Sequence, residues 1–138
     1  MASSAGTDIV SVARIANLIN DRGPLFLERW FTPQEIAYCN DKTHPSQHFA
    51  ARLAAKESVV KALRSQWDGP VPWLSIEILN DERGAPHVRL SGRILESATR
   101  DGVGTIRVSM SHCEEYAIAM AIADPARADR PECDGVGA

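Results

Sequence analysis

No stretch of this 138-residue sequence approaches the roughly 20 consecutive apolar residues of a membrane span. The opening MASSAGTDIV also lacks the basic and then apolar segments of an export signal. Both absences predict a cytoplasmic protein with no membrane partner. Cysteine is scarce: Cys39, Cys113 and Cys133 lie far apart, so neither a C-x-x-C metal pair nor an even disulfide framework can be built. Reduced thiols are expected, with Cys113 a packing residue. There is no basic excess either, since 15 Lys and Arg against 18 Asp and Glu leave a net charge of −3. That balance excludes a nucleic-acid binder held mainly by phosphate neutralisation, although a local basic patch stays open. No internal repeat is present.

What remains is ordinary globular material, 44% hydrophobic and 24% charged, of a length that suits one domain burying roughly two thirds of its unfolded surface. TDIVSV (7–12) is short and β-branched and predicts a buried first strand. Residues 13–23 carry Ile15, Leu18 and Ile19 at helical spacing before Gly23 and Pro24, with Arg14 and Arg22 facing outward. In TPQEIAYCN (32–40) Thr32 as N-cap, Pro33 and Glu35 form a capping-box start. The longest helix is predicted over 46–65, capped by Ser46. Leu74, Ile76 and Ile78 alternate as in a half-buried strand, and HVRL (87–90) returns as a hairpin after Gly84. A helix over 91–102 and two strands over 105–123 complete an α+β order in a domain spanning 1–124. Residues 125–138 read as a mobile tail.

The long helix poses a question of its own. In FAARLAAKESVVKAL (49–63) the bulky arc is Phe49, Leu53 and Val60, which belongs to the core. Glu57 and Lys61 share a flank beside Ala50 and Ala54, small residues that leave room for something to approach the carboxylate. Glu57 and Lys61 equally suit an i,i+4 ion pair contributing roughly 0.2 to 0.5 kcal/mol. Arg52 and Lys56 fit long stems lying on apolar surface with their charged heads in solvent. Three other residues raise similar choices. Asp8, in an apolar strand, needs a partner or a cation; His112, at a bend, can meet a phosphate or shuttle a proton; Asn80 and Gly84 sit in a tight turn.

Read in order, GTDIVSVARI, FLERWFTPQEIAYC, FAARLAAKESVVKAL, IEILNDERGAPHVRLSG and VSMSHCEEYAIAMAIA resemble the 4′-phosphopantetheinyl transferases, in particular the short holo-[acyl-carrier-protein] synthase type. The resemblance covers about residues 5 to 123. It implies a long helix packed on an antiparallel sheet, in a homotrimer whose active sites lie between subunits, so that Asp8 and Glu57 could meet across chains. The implied reaction moves 4′-phosphopantetheine from coenzyme A to a serine of apo acyl carrier protein, for fatty-acid or polyketide synthesis, with release of adenosine 3′,5′-bisphosphate. Mg²⁺ is the implied metal, with Asp8 and Glu57 as its protein ligands, a donor set that suits a hard cation. Catalytic roles fall by the same resemblance on Glu57, Lys61 and His112. The acceptor of the serine proton stays open between His112 and a water oriented by Glu57. Coenzyme A contacts fall on Arg52, Lys61, Asn80, Gly84 and His112. Arg14 and Arg22 match a basic helix that complements the acidic carrier protein. Two features depart from the family pattern: RSQWDGPVPW follows the long helix where a Gly-Thr-Gly type turn is common, and Cys113 follows His112.

Overall fold

The computed structural model describes residues 1–64 and 69–127. The chain begins with strand β1 (Ser4–Ser11) and three helices, α1 (Val12–Arg22), α2 (Pro24–Trp30) and α3 (Pro33–Asn40). The long helix α4 (Pro45–Leu63) follows. A single 3₁₀ turn (Trp73–Ser75) leads into the hairpin β2 (Ile76–Asn80) and β3 (Pro86–Leu90). Helix α5 (Gly92–Arg100) and strands β4 (Val103–His112) and β5 (Tyr116–Pro125) complete the α+β fold. β5 lies between β1 and β4 in an antiparallel sheet of three strands.

Local chemistry accounts for the helix boundaries. Thr32 and Glu35 form the predicted capping box, the Thr32 hydroxyl accepting from Glu35 N and the Glu35 carboxylate from Thr32 N. Ser11 caps α1 by accepting from Arg14 N at 3.2 Å. Gly23, at φ +61°, turns the chain sharply between α1 and α2 in a conformation that other residues resist. The predicted cap of α4 is wrong: His44 holds the N-cap position, Pro45 is the first helical residue and Ser46 lies inside. Proline suits that position because its missing N–H is unpaired there anyway.

β5 alternates alanine with larger apolar residues. Ala117, Ala119, Ala121 and Ala123 are buried, and the intervening Tyr116, Ile118 and Met120 are about half exposed. α4 packs on the alanine row, with β1 and β4 on either side of it and α1, α3 and β2 on its other faces. Enclosure on so many sides changes which residues go inside. Ala50, Ala51, Ala54, Ala55 and Ala62 are buried along with Phe49, whereas Leu53 and Val60 are only half-buried. The alanines therefore permit close approach to the sheet, and the open space beside Glu57 lies instead on its Leu53 and Lys61 side. Ser58 shows how close the layers are: its Oγ lies 2.7 Å from Ala54 O and 3.1 Å from Ala119 O. A larger side chain in either row costs about 1–3 kcal/mol in overpacking.

Lys56 departs furthest from expectation. Its head does not reach solvent; the residue is wholly buried. Nζ donates to Glu35 Oε1 at 2.7 Å, Trp30 O at 2.7 Å and Trp73 O at 3.0 Å. Glu35 is buried too, and its other oxygen accepts from Ile78 N at 3.1 Å. Each polar atom of this pair finds a partner, which is what a buried charge requires. Burial still holds the Lys56 ammonium below its ordinary range, against the pull of Glu35 in the other direction. The network joins α2, α3, α4 and β2 around one interior point.

Three smaller expectations change as well. β1 is an edge strand, mostly half-exposed or exposed, with only Gly6 buried. Leu74 is exposed in the 3₁₀ turn, so the strand begins at Ile76. Pro125 still belongs to β5, and the predicted tail from residue 128 onward lies outside the described residues, as do residues 65–68.

Candidate active site

Asp8 sits opposite Ala119 in the β1–β5 register, so its side chain leaves the sheet on the side facing α4. Gly6, two residues earlier, allows this approach: a Cβ there would lie 2.1 Å from Ser58 O. Any side chain at that position would drive β1 away from the helix. Asp8, Glu57, Lys61 and Arg14 line one cleft of about 350 Å³ between β1, α1 and α4, with Trp30 among its apolar walls. Asp8 and Glu57 thus meet within a single chain, and no second subunit is needed to unite them. Lys61 Nζ lies 3.1 Å from Asp8 Oδ1 and donates to Thr7 O at 2.9 Å. The ion pair expected between Glu57 and Lys61 is made to Asp8 instead, because the edge strand brings that carboxylate over the helix flank.

The electrostatics of the cleft follow. Partial burial, and then the negative charge of Asp8, push the Glu57 carboxyl above its ordinary 4.5, while Lys61 acts in the opposite direction. Two carboxylates sharing a cleft with one ammonium form a hard oxygen donor set that a small divalent cation would relieve of its repulsion. Beyond Trp30 and Phe26 the cleft continues into a groove along α1 and α2, lined by Arg22, Leu25 and Arg29. Arg14 and Arg22 therefore stand along one path.

The other predicted residues collect elsewhere. Arg52 is 2% exposed. One of its terminal nitrogens donates to Asn80 Oδ1, and its guanidinium lies 4.1 Å from the Tyr38 ring centre. Asn80 in turn donates to Gly84 O at 2.9 Å, and Gly84 takes φ +82° in the hairpin turn. Arg52 Nε is buried and has no hydrogen-bond partner among the described residues. His112 is exposed at the end of β4, its ring 5.0 Å from that of His48. Cys113, expected to pack, is exposed. None of Arg52, Asn80, Gly84 and His112 lines the cleft that holds Asp8. Arg52 and Lys61 are nine residues apart, which is about half a turn around α4 and about 13 Å along its axis.

Sequence reasoning missed several contributors. Gly6 carried a readable signal, an isolated glycine within a strand pattern, which marks close backbone approach. His48 precedes Arg52 by four residues and so shares its helix face. Tyr38, Leu25 and Arg29 gave no comparable sign.

Comparison with known proteins converges on one family. Residues 4–121 match the family model described as the 4′-phosphopantetheinyl transferase superfamily. A holo-[acyl-carrier-protein] synthase of Chlorobium limicola is 47% identical over 117 residues, covering 85% of this chain and 90% of that protein. One from Geotalea daltonii is 39% identical over 122 residues, covering 88% and 98%. Among solved structures, the Neisseria meningitidis holo-[acyl-carrier-protein] synthase superposes with a TM-score of 0.79 at 31% identity, over 88% of this chain and 97% of that one. The Helicobacter pylori enzyme, solved in complex with coenzyme A, gives 0.76 at 32% identity, over 87% and 99%. With its fold, its sequence blocks and its relatives in agreement, this chain belongs to the 4′-phosphopantetheinyl transferase superfamily.

Proposed function

We infer that the protein is a holo-[acyl-carrier-protein] synthase, which transfers the 4′-phosphopantetheine group from coenzyme A to a serine of apo acyl carrier protein. The observation that carries the reading is the cleft in which Asp8, Glu57 and Lys61 converge next to a groove rimmed by arginines. In the reaction the serine oxygen forms a bond to the phosphorus bearing pantetheine. The bond from that phosphorus to the bridging oxygen breaks, and adenosine 3′,5′-bisphosphate leaves.

Each residue has a task within this scheme. Asp8 and Glu57 would hold Mg²⁺, which supplies neutralisation of the diphosphate charge when bound. Lys61, poised beside Asp8, places a positive charge where the leaving phosphate gains negative charge. Glu57 and His112 are the two groups that can direct removal of the serine proton, and their variants differ in pH–rate profile accordingly. Arg52, Asn80, Gly84 and His112 receive the nucleotide end of coenzyme A, and the unpartnered Arg52 Nε is a donor available for a phosphate oxygen. Arg14 and Arg22 meet the acidic helix of the carrier protein across the groove.

The placement of these tasks supports a homotrimer with interfacial sites. The cleft and the Arg52–His112 cluster leave α4 in nearly opposite directions, so the cleft of one subunit faces the histidine flank of the next. Contacts of that head-to-tail kind close into a ring when the rotation between subunits is about one third of a turn. The outer face of the sheet supplies apolar surface for such association, since Ile9 and Ile118 are cross-strand partners and both are exposed, with Tyr116 and Met120 beside them. The location is the cytoplasm, in keeping with a carrier-protein substrate; no helix among the described residues is long and apolar enough to cross a membrane.

The test is direct. The protein is incubated with coenzyme A, Mg²⁺ and apo carrier proteins of fatty-acid and polyketide type, and the carriers are weighed by mass spectrometry. A gain of one phosphopantetheine on at least one carrier is expected, and the preferred carrier identifies the pathway. No gain on any of them would overturn the reading.

A further inference from the structure

The flank that carries Arg52 and His112 holds a third group to which the scheme above gives no task. His48 lies on the first turns of α4, four residues before Arg52, so the two side chains leave the same face of the helix. Its half-buried ring meets His112 edge to face, with 5.0 Å between centroids and 65° between planes. Tyr38 closes on it from α3 at 6.4 Å, also edge to face. The ring is thus held on two sides by rings from α3 and β4, a geometry that restricts both imidazoles.

Charge around His48 comes from every neighbouring segment. Arg52 belongs to α4, His44 to its N-cap, Lys42 to the turn after α3 and His112 to β4. Lys42 Nζ itself stands 4.4 Å from the centre of the Tyr38 ring. Burial first, and then His112 and these cations, hold His48 below the ordinary 6.5 of a histidine. The charged groups that act on His48 are positive or histidine, and Arg52 is buried with its Nε unpartnered among the described residues. A phosphate monoester arriving here would reverse that balance and make protonation on this flank favourable.

We propose that His48 is a positioning residue for the transfer reaction: its ring sets the orientation of the His112 imidazole beside Arg52, and the two rings together take up a proton from solvent when a phosphate monoester binds on this flank. The inference rests on the reading that Arg52 and His112 hold a phosphate of coenzyme A. Binding coupled to proton uptake strengthens as pH falls through the window between the free and bound titration points of the rings. Departure of adenosine 3′,5′-bisphosphate returns the proton, so product release is aided as pH rises through the same window.

Calorimetric titration with adenosine 3′,5′-bisphosphate tests this, run from about pH 8 to about pH 6 in buffers of different ionisation heat. Wild type is compared with His48→Phe, which keeps an aromatic ring, His48→Gln, His112→Gln and Arg52→Lys. The free ligand's own titration is common to all and cancels in the comparison. Wild type is expected to take up protons and to gain affinity as pH falls, by no more than about tenfold per pH unit for one proton. Both His48 variants should show reduced uptake and a shallower slope, while staying within about twofold of wild-type affinity near pH 8, above the ordinary range of histidine protonation. Wild-type uptake and slope in His48→Phe and His48→Gln would overturn the role of His48. Unchanged affinity in both Arg52→Lys and His112→Gln would instead overturn the phosphate reading of the flank. The same question can be put without substitution, by following the ring nitrogens of His48 and His112 by NMR with and without the ligand. Failure of both rings to shift toward the protonated form on binding would also sink the proposal.

Discussion

The two flanks of α4 solve opposite electrostatic problems. On the flank facing β1, charges of both signs meet in an open cleft, where Lys61 is half exposed and Asp8 is 21% exposed in its side chain. On the other flank the buried charge is of one sign, Arg52, and aromatic rings take the place of counter-charges around it. A cleft of mixed sign that stays wet suits a cation and an incoming phosphate in turn. A flank of positive sign, with Arg52 buried within it, suits a phosphate that arrives already negative. Between the two flanks lies Lys56, which is fully paired inside the protein and touches neither substrate site. One helix therefore carries a buried paired charge, a charged cleft and a buried arginine flank within ten residues, sorted by direction.

Substitutions separate these three kinds of charge. Lys56→Met leaves the Glu35 carboxylate buried without its partner, and a loss of about 3–5 kcal/mol in unfolding free energy is expected, measured by chemical denaturation. The double variant with Glu35→Gln should recover part of that loss; a single variant as stable as wild type would show that the buried pair does not hold the two flanks together. Next in size, Asp8→Asn or Glu57→Gln should lower kcat at least about 100-fold with the melting midpoint preserved, read from the rate of carrier modification. Subunits bearing Asp8→Asn, when co-assembled with subunits bearing His112→Gln, should regain about one quarter of wild-type activity, since that share of interfaces in a random ring joins two intact flanks. If mixing restores nothing, the flanks work within one chain and the contrast between them loses its catalytic meaning.

Smaller effects sharpen the contrast. Arg52→Lys keeps the charge but loses the planar fork, so KM for coenzyme A should rise about tenfold while KM for the carrier stays the same. Arg22→Ala removes an exposed rim charge of the groove. KM for the carrier should rise a few-fold, roughly two to five, and the effect should shrink as salt is raised to about 0.5 M. An Arg22 effect insensitive to salt would point to packing against Leu25 rather than to charge.

Much of the fold was legible because it is written in local chemistry. Thr32, Pro33 and Glu35 announce α3 through capping, and Ile106, Val108 and Met110 announce β4 through alternation. What local chemistry does not contain is how many sides of an element are covered. A helix read at 100° per residue has one inner face, and on that basis Lys56 belonged outside and Leu53 inside. α4 is enclosed by the sheet on one side and by helices and a hairpin on the others, so small residues face the sheet and a paired lysine fills the interior. The site shows the same limit. Asp8, Glu57 and Lys61 converge as the resemblance implies, but their union within one chain depends on the contact between Gly6 and Ser58, a tertiary fact between residues 52 positions apart. The separation of Arg52 and His112 from that cleft follows from a helix angle that the order of motifs along the chain leaves unstated.

If the proposed ring forms, that angle also sets how the activity depends on the amount of protein present. Under the interfacial reading a folded subunit carries two incomplete halves, and the functional unit is a contact between chains rather than a chain. Specific activity should then fall on dilution below the association threshold while circular dichroism still reports a fully folded protein. A closed ring leaves no half unused, whereas every open fragment wastes one at each end. Under that reading, concentration itself would act as a control on the enzyme.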